Sequence, residues 1–188
     1  MGLYDAPMLA DLTIRTLLPA DLSTVEAWLL DYVQQHRTWW SRAYGTEPRS
    51  SLKDVVAAEL ADLVSDAEKD GHTVRVLAKT AEPGAAAGIP LGIVVARTQL
   101  DRFMGLQVGT LSWIYVAEQA RGTGAADHLM ATAESWFVEQ GATGRMVFVT
   151  AKNPKAVRLY VRHGYRIADH RMLKGFPDRN NQLPAKPG

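Results

Sequence analysis

A strand, a glycine turn, a helix and a second strand follow one another in "GTLSWIYV" (109–116), "RGTGAA" (121–126), a helix-periodic run and "RMVFVT" (145–150). No other feature limits the fold as much. Strands joined through a helix pair in parallel, whereas "TVRVLAKT" (73–80) and "LGIVVARTQL" (91–100), joined by "AEPGAAAGIP", read as an antiparallel hairpin. The sheet is therefore mixed. Upstream, "LTIRTLL" (12–18) alternates as a short strand that Pro19 stops. Leu22, Val25, Leu29, Tyr32, Val33 and His36 keep helical spacing. So do Leu52, Val56, Leu60, Leu63, Val64 and Ala67, after a start signal at Ser51 and Asp54 and before a stop at Gly71. Ala126, Leu129, Met130, Ala133, Trp136 and Phe137 line the crossover helix, which Gly141 closes. "NPKAVRLYVRHG" is a compact helix with Asn153 as cap, Pro154 at its first position and Gly164 past its end. A last strand is expected over about 165–176.

This element order predicts an α/β (α+β) fold, a single domain with a mostly antiparallel mixed sheet and helices on its faces. With 188 residues and no internal repeat or linker, the chain reads as an extension over 1–11, one folded unit over 12–176 and a frayed tail over 177–188. Lys and Arg number 21 against 20 Asp and Glu, without a block of like charge, so nucleic acid is not an expected partner. The absence of cysteine removes disulfides, thiolate metal sites and a cysteine nucleophile. The five histidines have no ligand spacing, so no metal is expected. No stretch approaches the ~20 apolar residues of a membrane span, and "MGLYDAPMLADL" lacks the basic start and apolar core of a leader. Ala6 stands where a myristoylation pattern needs Ser or Thr. A cytoplasmic protein is expected, with no membrane partner.

The glycine turn has three readings. A phosphate-binding P-loop needs Gly-Lys before Ser or Thr, and Ala125, Ala126 and Asp127 follow Gly124 instead. A dinucleotide fingerprint needs a third glycine where Asp127 stands, and it normally follows the first strand of its unit. What remains is an anion nest at a helix N-terminus, with Arg121 beside it, or a plain turn that uses glycine for its geometry.

The next motif bears on that choice. Arg121-Gly122-Thr123-Gly124-Ala125-Ala126 follows a strand ending in Val116, and about thirty residues on come Asn153, Ala156, Tyr160, Gly164 and Tyr165 at the spacing Asn-x-x-Ala-x-x-x-Tyr-x-x-x-Gly-aromatic. The pair resembles the two signature motifs of the GNAT superfamily of N-acetyltransferases, in order and on the expected elements. The resemblance implies a parallel pair of splayed strands in the sheet, with acetyl-CoA as acyl donor. The amides of Arg121, Gly122, Thr123, Gly124, Ala125 and Ala126 would hold the CoA pyrophosphate, and the pantetheine would lie between the strands ending near Val116 and Thr150, past Tyr115 and Val116. A Val116 N–H would polarise the thioester carbonyl. Tyr160 matches the general acid that protonates the departing thiolate. It also reads as a core aromatic on one face with Ala156, Leu159 and His163. Asn153 reads as helix cap or cofactor contact, and Lys155 and Arg158 as phosphate contacts or a solvated face.

A common acidic residue of the family is missing from "GTLSWIYV". An alkylamine with a pKa of about 10.4 costs about 4 to 5 kcal/mol to deprotonate at pH 7. A water chain anchored by Ser112, Tyr115, His36 or Glu47 is the expected route. In the family the acceptor wall comes from the first two helices and the loop between them, here "HRTWWSRAYGTEPR" (36–49). His36, Trp39, Trp40 and Tyr44 would line it, with His36, Arg37, Arg42 and Arg49 as cations suited to an acceptor bearing carboxylate or phosphate. The tryptophans could equally pack on the sheet and the arginines face water. The implied activity is acetyl transfer to a primary amine of a small molecule. The alternatives are a protein or peptide N-acetyltransferase and a non-catalytic acyl-CoA-binding module. Dimers are frequent in the family, so a homodimer is an expected partner state.

Overall fold

Alternation sets the two sides of the sheet. In the computed structural model, which describes residues 11–81, 87–169 and 171–172, five strands lie side by side in chain order: β1 (Leu12–Thr16), β2 (His72–Lys79), β3 (Pro90–Asp101), β4 (Leu106–Val116) and β5 (Gly144–Val147). The first four pair antiparallel, and β4 with β5 is parallel, as the helical crossover requires. The β2–β3 pair has the expected antiparallel sense, and the mixed sheet with one parallel pair is the one its element order demands.

Residues of β3, the central strand, point alternately to two cores. Ile93 and Val95 join Val74 and Val76 under α1 (Leu22–Tyr44) and α2 (Leu52–Ala67). Val94 and Ala96 join Leu77 and Leu111 under α3 (Ala125–Glu139) and α4 (Pro154–Arg162). Both faces are covered, so these β3 residues are almost wholly buried and the strand reads as a continuous apolar run.

At the entry to α1, buried Asp21 accepts two hydrogen bonds from the Arg15 guanidinium of β1, at 2.6 and 2.8 Å, and one from Leu18 N at 2.9 Å. Burial alone would raise this carboxyl, but Arg15 and Leu18 hold it below its ordinary value. The pair fixes where the helix leaves the sheet.

Several boundaries differ from those expected. The first helix continues through "RTWWSRAY" to Tyr44 and ends only at Gly45, the first residue there that takes positive φ (+67°) easily. Trp39, Trp40 and Tyr44 are thus helical, and the connection shrinks to residues 45–51. The second helix stops at Ala67, with Gly71 (φ +72°) in the turn that follows. β5 ends at Val147 rather than Thr150. Residues 165–169, 171 and 172 of the expected last strand form no strand, and the rest of it lies outside the described residues, as do the extension up to residue 10 and the tail. Among the described residues no helix is long and apolar enough to cross a membrane.

Gly109 of β4 lies close beneath α3. A Cβ there would lie 2.3 Å from Cδ1 of the fully buried Phe137 on α3, and 2.6 Å from its Cγ. Gly109→Ala must displace that ring within a packed core, at a cost of about 1–3 kcal/mol. Thermal unfolding of the variant should fall by roughly 2–4 °C for each kcal/mol. A melting temperature equal to that of the parent would show that Phe137 has room to move.

Candidate active site

Where β4 ends, the sheet opens. Pairing with β5 stops at Leu111 with Val147, yet β4 continues for five more residues to Val116. Ser112 has no partner in the β3–β4 register, because Val95 faces Trp113 while Ala96 faces Leu111. It is therefore the extra residue of a β-bulge, exposed at the point where the strands part. The free stretch of β4 runs straight into the glycine turn.

In that turn Gly122 and Gly124 have φ of +80° and +89°, and a Cβ on either would touch nothing within 4 Å. Glycine is needed here for backbone conformation, and the space around it is open. Ala120 N and Arg121 N bond back to Ala117 O and Glu118 O, and the Thr123 hydroxyl donates to Ala120 O at 2.8 Å. Among the described residues, the amides of Gly122, Thr123, Gly124, Ala125 and Ala126 donate to no backbone carbonyl, and no side chain caps α3. Unpaired donors at the positive end of a fifteen-residue helix form a nest suited to an anion. Arg121 donates from Nε to Val116 O at 3.0 Å and stands 5.7 Å from the centroid of the Tyr115 ring, clamping the turn to the end of β4.

The Tyr115 side chain faces the other way. It stacks on Trp28 at 5.3 Å and donates to Asp31 Oδ2 at 3.1 Å, and burial, then Asp31, raises its hydroxyl above the ordinary value. Only its backbone and that of Val116 lie along the open stretch of β4.

Asp127, which spoils the dinucleotide pattern, has a structural partner. Its Oδ1 accepts from Arg162 at 2.7 Å and from His163 Nε2 at 2.8 Å, joining the start of α3 to the end of α4. The Arg162 contact lowers its carboxyl below the ordinary value, against a smaller effect of burial, with His163 adding to it. On α4, Asn153 Oδ1 accepts from Ala156 N at 3.2 Å and caps the helix, while Lys155 and Arg158 are exposed. Tyr160 points into the core, 5.9 Å from the Tyr165 ring. Burial pushes its hydroxyl up to about 12, with a smaller contribution from Tyr32 across the site.

Tyr32 leads to the second feature, a groove of about 390 Å³ between α1, α2 and their connection. His36, Trp40 and Tyr44 line it, together with Tyr32, Val55 and two carboxylates, Glu47 and Glu59. Trp39 is not among the lining residues but meets the His36 ring edge-on at 5.0 Å. Of the four cations read in this segment, His36 and Arg37 reach the groove and Arg42 and Arg49 do not. The Arg37 guanidinium donates to Ser51 O at 2.9 Å and Ser50 Oγ at 3.2 Å, so it fastens the connection. Burial, then Asp62, raises the Glu59 carboxyl, while His36 lowers it. Tyr32 reads in the sequence as one more position at helical spacing, and nothing in the sequence singles out Glu59.

Comparison with known proteins agrees with this layout. A profile of the acetyltransferase (GNAT) family matches residues 33–165. No curated protein sequence matches. A transcriptional regulator from Bacillus halodurans C-125 superposes with a TM-score of 0.65 at 17% identity, over 88% of this chain and 99% of that one. An aminoglycoside N-acetyltransferase in complex with CoA gives 0.57 at 18%, over 89% and 95%. A ribosomal-protein-alanine N-acetyltransferase from Brucella melitensis biovar Abortus 2308 gives 0.59 at 16%, over 88% and 99%. At such identities they share the fold, and their different descriptions show how little the fold says of the acceptor.

The Asp127 contacts generate a test. A carboxyl lowered in the folded state contributes stability that is present above its unfolded pKa of about 4 and is lost as pH falls through the lowered folded value. Asp127→Asn should therefore unfold at lower denaturant than the parent at pH 6, and the gap should close on acidification. A gap that persists unchanged at acid pH would assign the loss to something other than charge.

Proposed function

The chain belongs to the acetyltransferase (GNAT) family, and from that premise we propose that it moves an acetyl group from acetyl-CoA to a primary amine of a small molecule, with Tyr160 as general acid. The observation that carries this reading is the meeting, at one end of β4, of an unpaired strand edge, a glycine turn with free amides and a buried tyrosine on the neighbouring helix. These fit the parts of a CoA molecule: amides at a helix N-terminus for the pyrophosphate, and a strand edge with free main-chain groups for the pantetheine amides.

Acetyl-CoA, when bound, supplies a thioester carbonyl open to an amine and a thiolate that leaves. The amides from Gly122 to Ala126 hold its phosphates, with the exposed faces of Arg121 and Lys155 adding positive charge. The backbone along Tyr115 and Val116 orients the thioester and donates to its carbonyl oxygen. Tyr160 Oη gives its proton to the departing sulfur. A hydroxyl titrating near 12 remains protonated at every pH at which the enzyme works, so the acid is always loaded. It is a weak acid for a thiol of about 8.5, but the same apolar surroundings raise the thiol too and narrow the gap. Asn153 serves by capping α4 and so fixing where Tyr160 stands.

Tyr160→Phe should keep CoA affinity and lower kcat by ~10²-fold, the lower end of general-acid contributions. Thiol release from acetyl-CoA against a panel of amines, amino acids and peptides reads this directly. Undiminished turnover by the variant would remove Tyr160 as the acid. Turnover confined to peptides would favour a protein acetyltransferase, and CoA binding without turnover of any acceptor would favour a regulatory module. Gly124→Ala, at φ +89°, should weaken CoA binding while costing roughly 1–2 kcal/mol of stability. No saturable CoA binding by the parent in calorimetry would sink the whole reading.

A further inference from the structure

The charge of the groove between α1 and α2 differs from what its sequence suggests. "HRTWWSRAYGTEPR" carries four cationic side chains and one acid. Folding sorts them. Arg42 and Arg49 stay out of the groove, and Arg37 is held by Ser50 and Ser51, while α2 brings in Glu59 beside Glu47. Two carboxylates thus face a space in which Arg37 is engaged with Ser50 and Ser51 and the His36 ring bonds to Tyr32 O through Nδ1 at 2.9 Å.

Its walls are aromatic. Tyr32, His36, Trp40 and Tyr44 line it, with the Tyr32 and His36 rings 4.0 Å apart and Trp40 stacked on Tyr44 at 5.7 Å. One of these walls already carries a cation from the chain itself: the Arg171 guanidinium stands 5.0 Å from the centroid of the Trp40 ring. Ring faces attract positive charge, and a carboxylate beside them adds a charge-assisted partner. Burial, then the charge of Glu59, raises the Tyr32 hydroxyl above its ordinary value.

We propose that this groove takes the acceptor as a primary alkylammonium ion with an apolar or aromatic body, Glu59 holding the ammonium and Tyr32, Trp40 and Tyr44 forming the walls around the body. This rests on the acetyltransferase reading above and reverses the anionic preference that the arginines alone imply. An acceptor with its own carboxylate meets Glu47 and Glu59, while Arg37 is held by Ser50 and Ser51 and Arg171 is engaged with the Trp40 ring, and is disfavoured. Glu59 therefore sets specificity by charge.

Binding to the full chain saturated with CoA tests this without requiring turnover. Phenethylamine and phenylalanine share a body and an amine and differ by one carboxylate. In calorimetry phenethylamine should bind at least about tenfold more tightly, a difference of ~1.4 kcal/mol. Glu59→Gln should remove most of that advantage, weakening phenethylamine about tenfold, leaving phenylalanine within about twofold, and leaving CoA affinity unchanged. Trp40→Leu should weaken phenethylamine while preserving its lead over phenylalanine. Equal affinities in the parent, an unchanged ratio in Glu59→Gln, no detectable phenethylamine binding, or the same loss appearing in Glu47→Gln instead would overturn the assignment. Loss of CoA binding in the parent would count against the acetyltransferase reading, and phenethylamine titrated into the CoA-free chain would still decide the groove.

Discussion

Most of what this chain can do depends on two parallel strands that part. A crossover helix forces β4 and β5 into parallel pairing, and only four residue pairs form before β5 ends at Val147. Beyond Leu111 the main-chain groups of β4 on that side have no strand neighbour among the described residues. Buried strand edges are costly unless something pairs with them. The bulge at Ser112 starts the opening, the glycine turn closes its far end, and α4 lies alongside carrying Tyr160 inward. A slot with strand-like walls and an anion nest at one end follows from topology, and little side-chain chemistry is needed to make it.

The sheet also separates the two halves of the site. The α3 and α4 side carries the glycine turn and Tyr160, while the α1 and α2 side carries the aromatic groove. Between them the interior of the sheet is sealed by fully buried residues such as Ile93 and Val94. They meet near the end of β4, where Arg121 of the glycine turn stands over the Tyr115 ring and that ring stacks on Trp28 of α1. Asp127 adds rigidity on the first side, since its bonds to Arg162 and His163 tie the helix that begins at the nest to the helix that carries the tyrosine.

The fold and the glycine turn were legible in the sequence because each rests on local rules. Strand alternation, glycine at positive φ, Asn-Pro at a helix start and the order of elements all act over a few residues. The extent of α1 was not legible. "RTWWSRAY" contains no breaker, yet its tryptophans and arginines suggested a binding loop, and they belong to helix because nothing before Gly45 ends it. The electrostatics of the groove were hidden for a different reason. Arg37 reads as a free cation until Ser50 and Ser51 are seen to hold it, and Glu59, exposed on α2, is brought to the groove only by the packing of α2 beside α1. Charge counted along a segment says little about charge within a cavity, because the fold chooses which side chains face it.

The bulge at Ser112 acts as a phase shifter. Below it, Gly109 and Leu111 lie against α3; above it, Trp113 and Tyr115 lie against α1, though all four are odd-numbered positions on one strand. The same residues run as a regular strand, with Ser112 paired instead of bulged, would keep one parity throughout and would aim Tyr115 and Trp113 at the α3 core, turning Ile114 and Val116 toward the aromatic helix. The frame of the whole edge is thus set by a single count. Deleting Ser112 itself would remove the bulge and leave the faces in place, as would a substitution there, whereas one residue added to the regular stretch above it would exchange the two faces of the active-site strand.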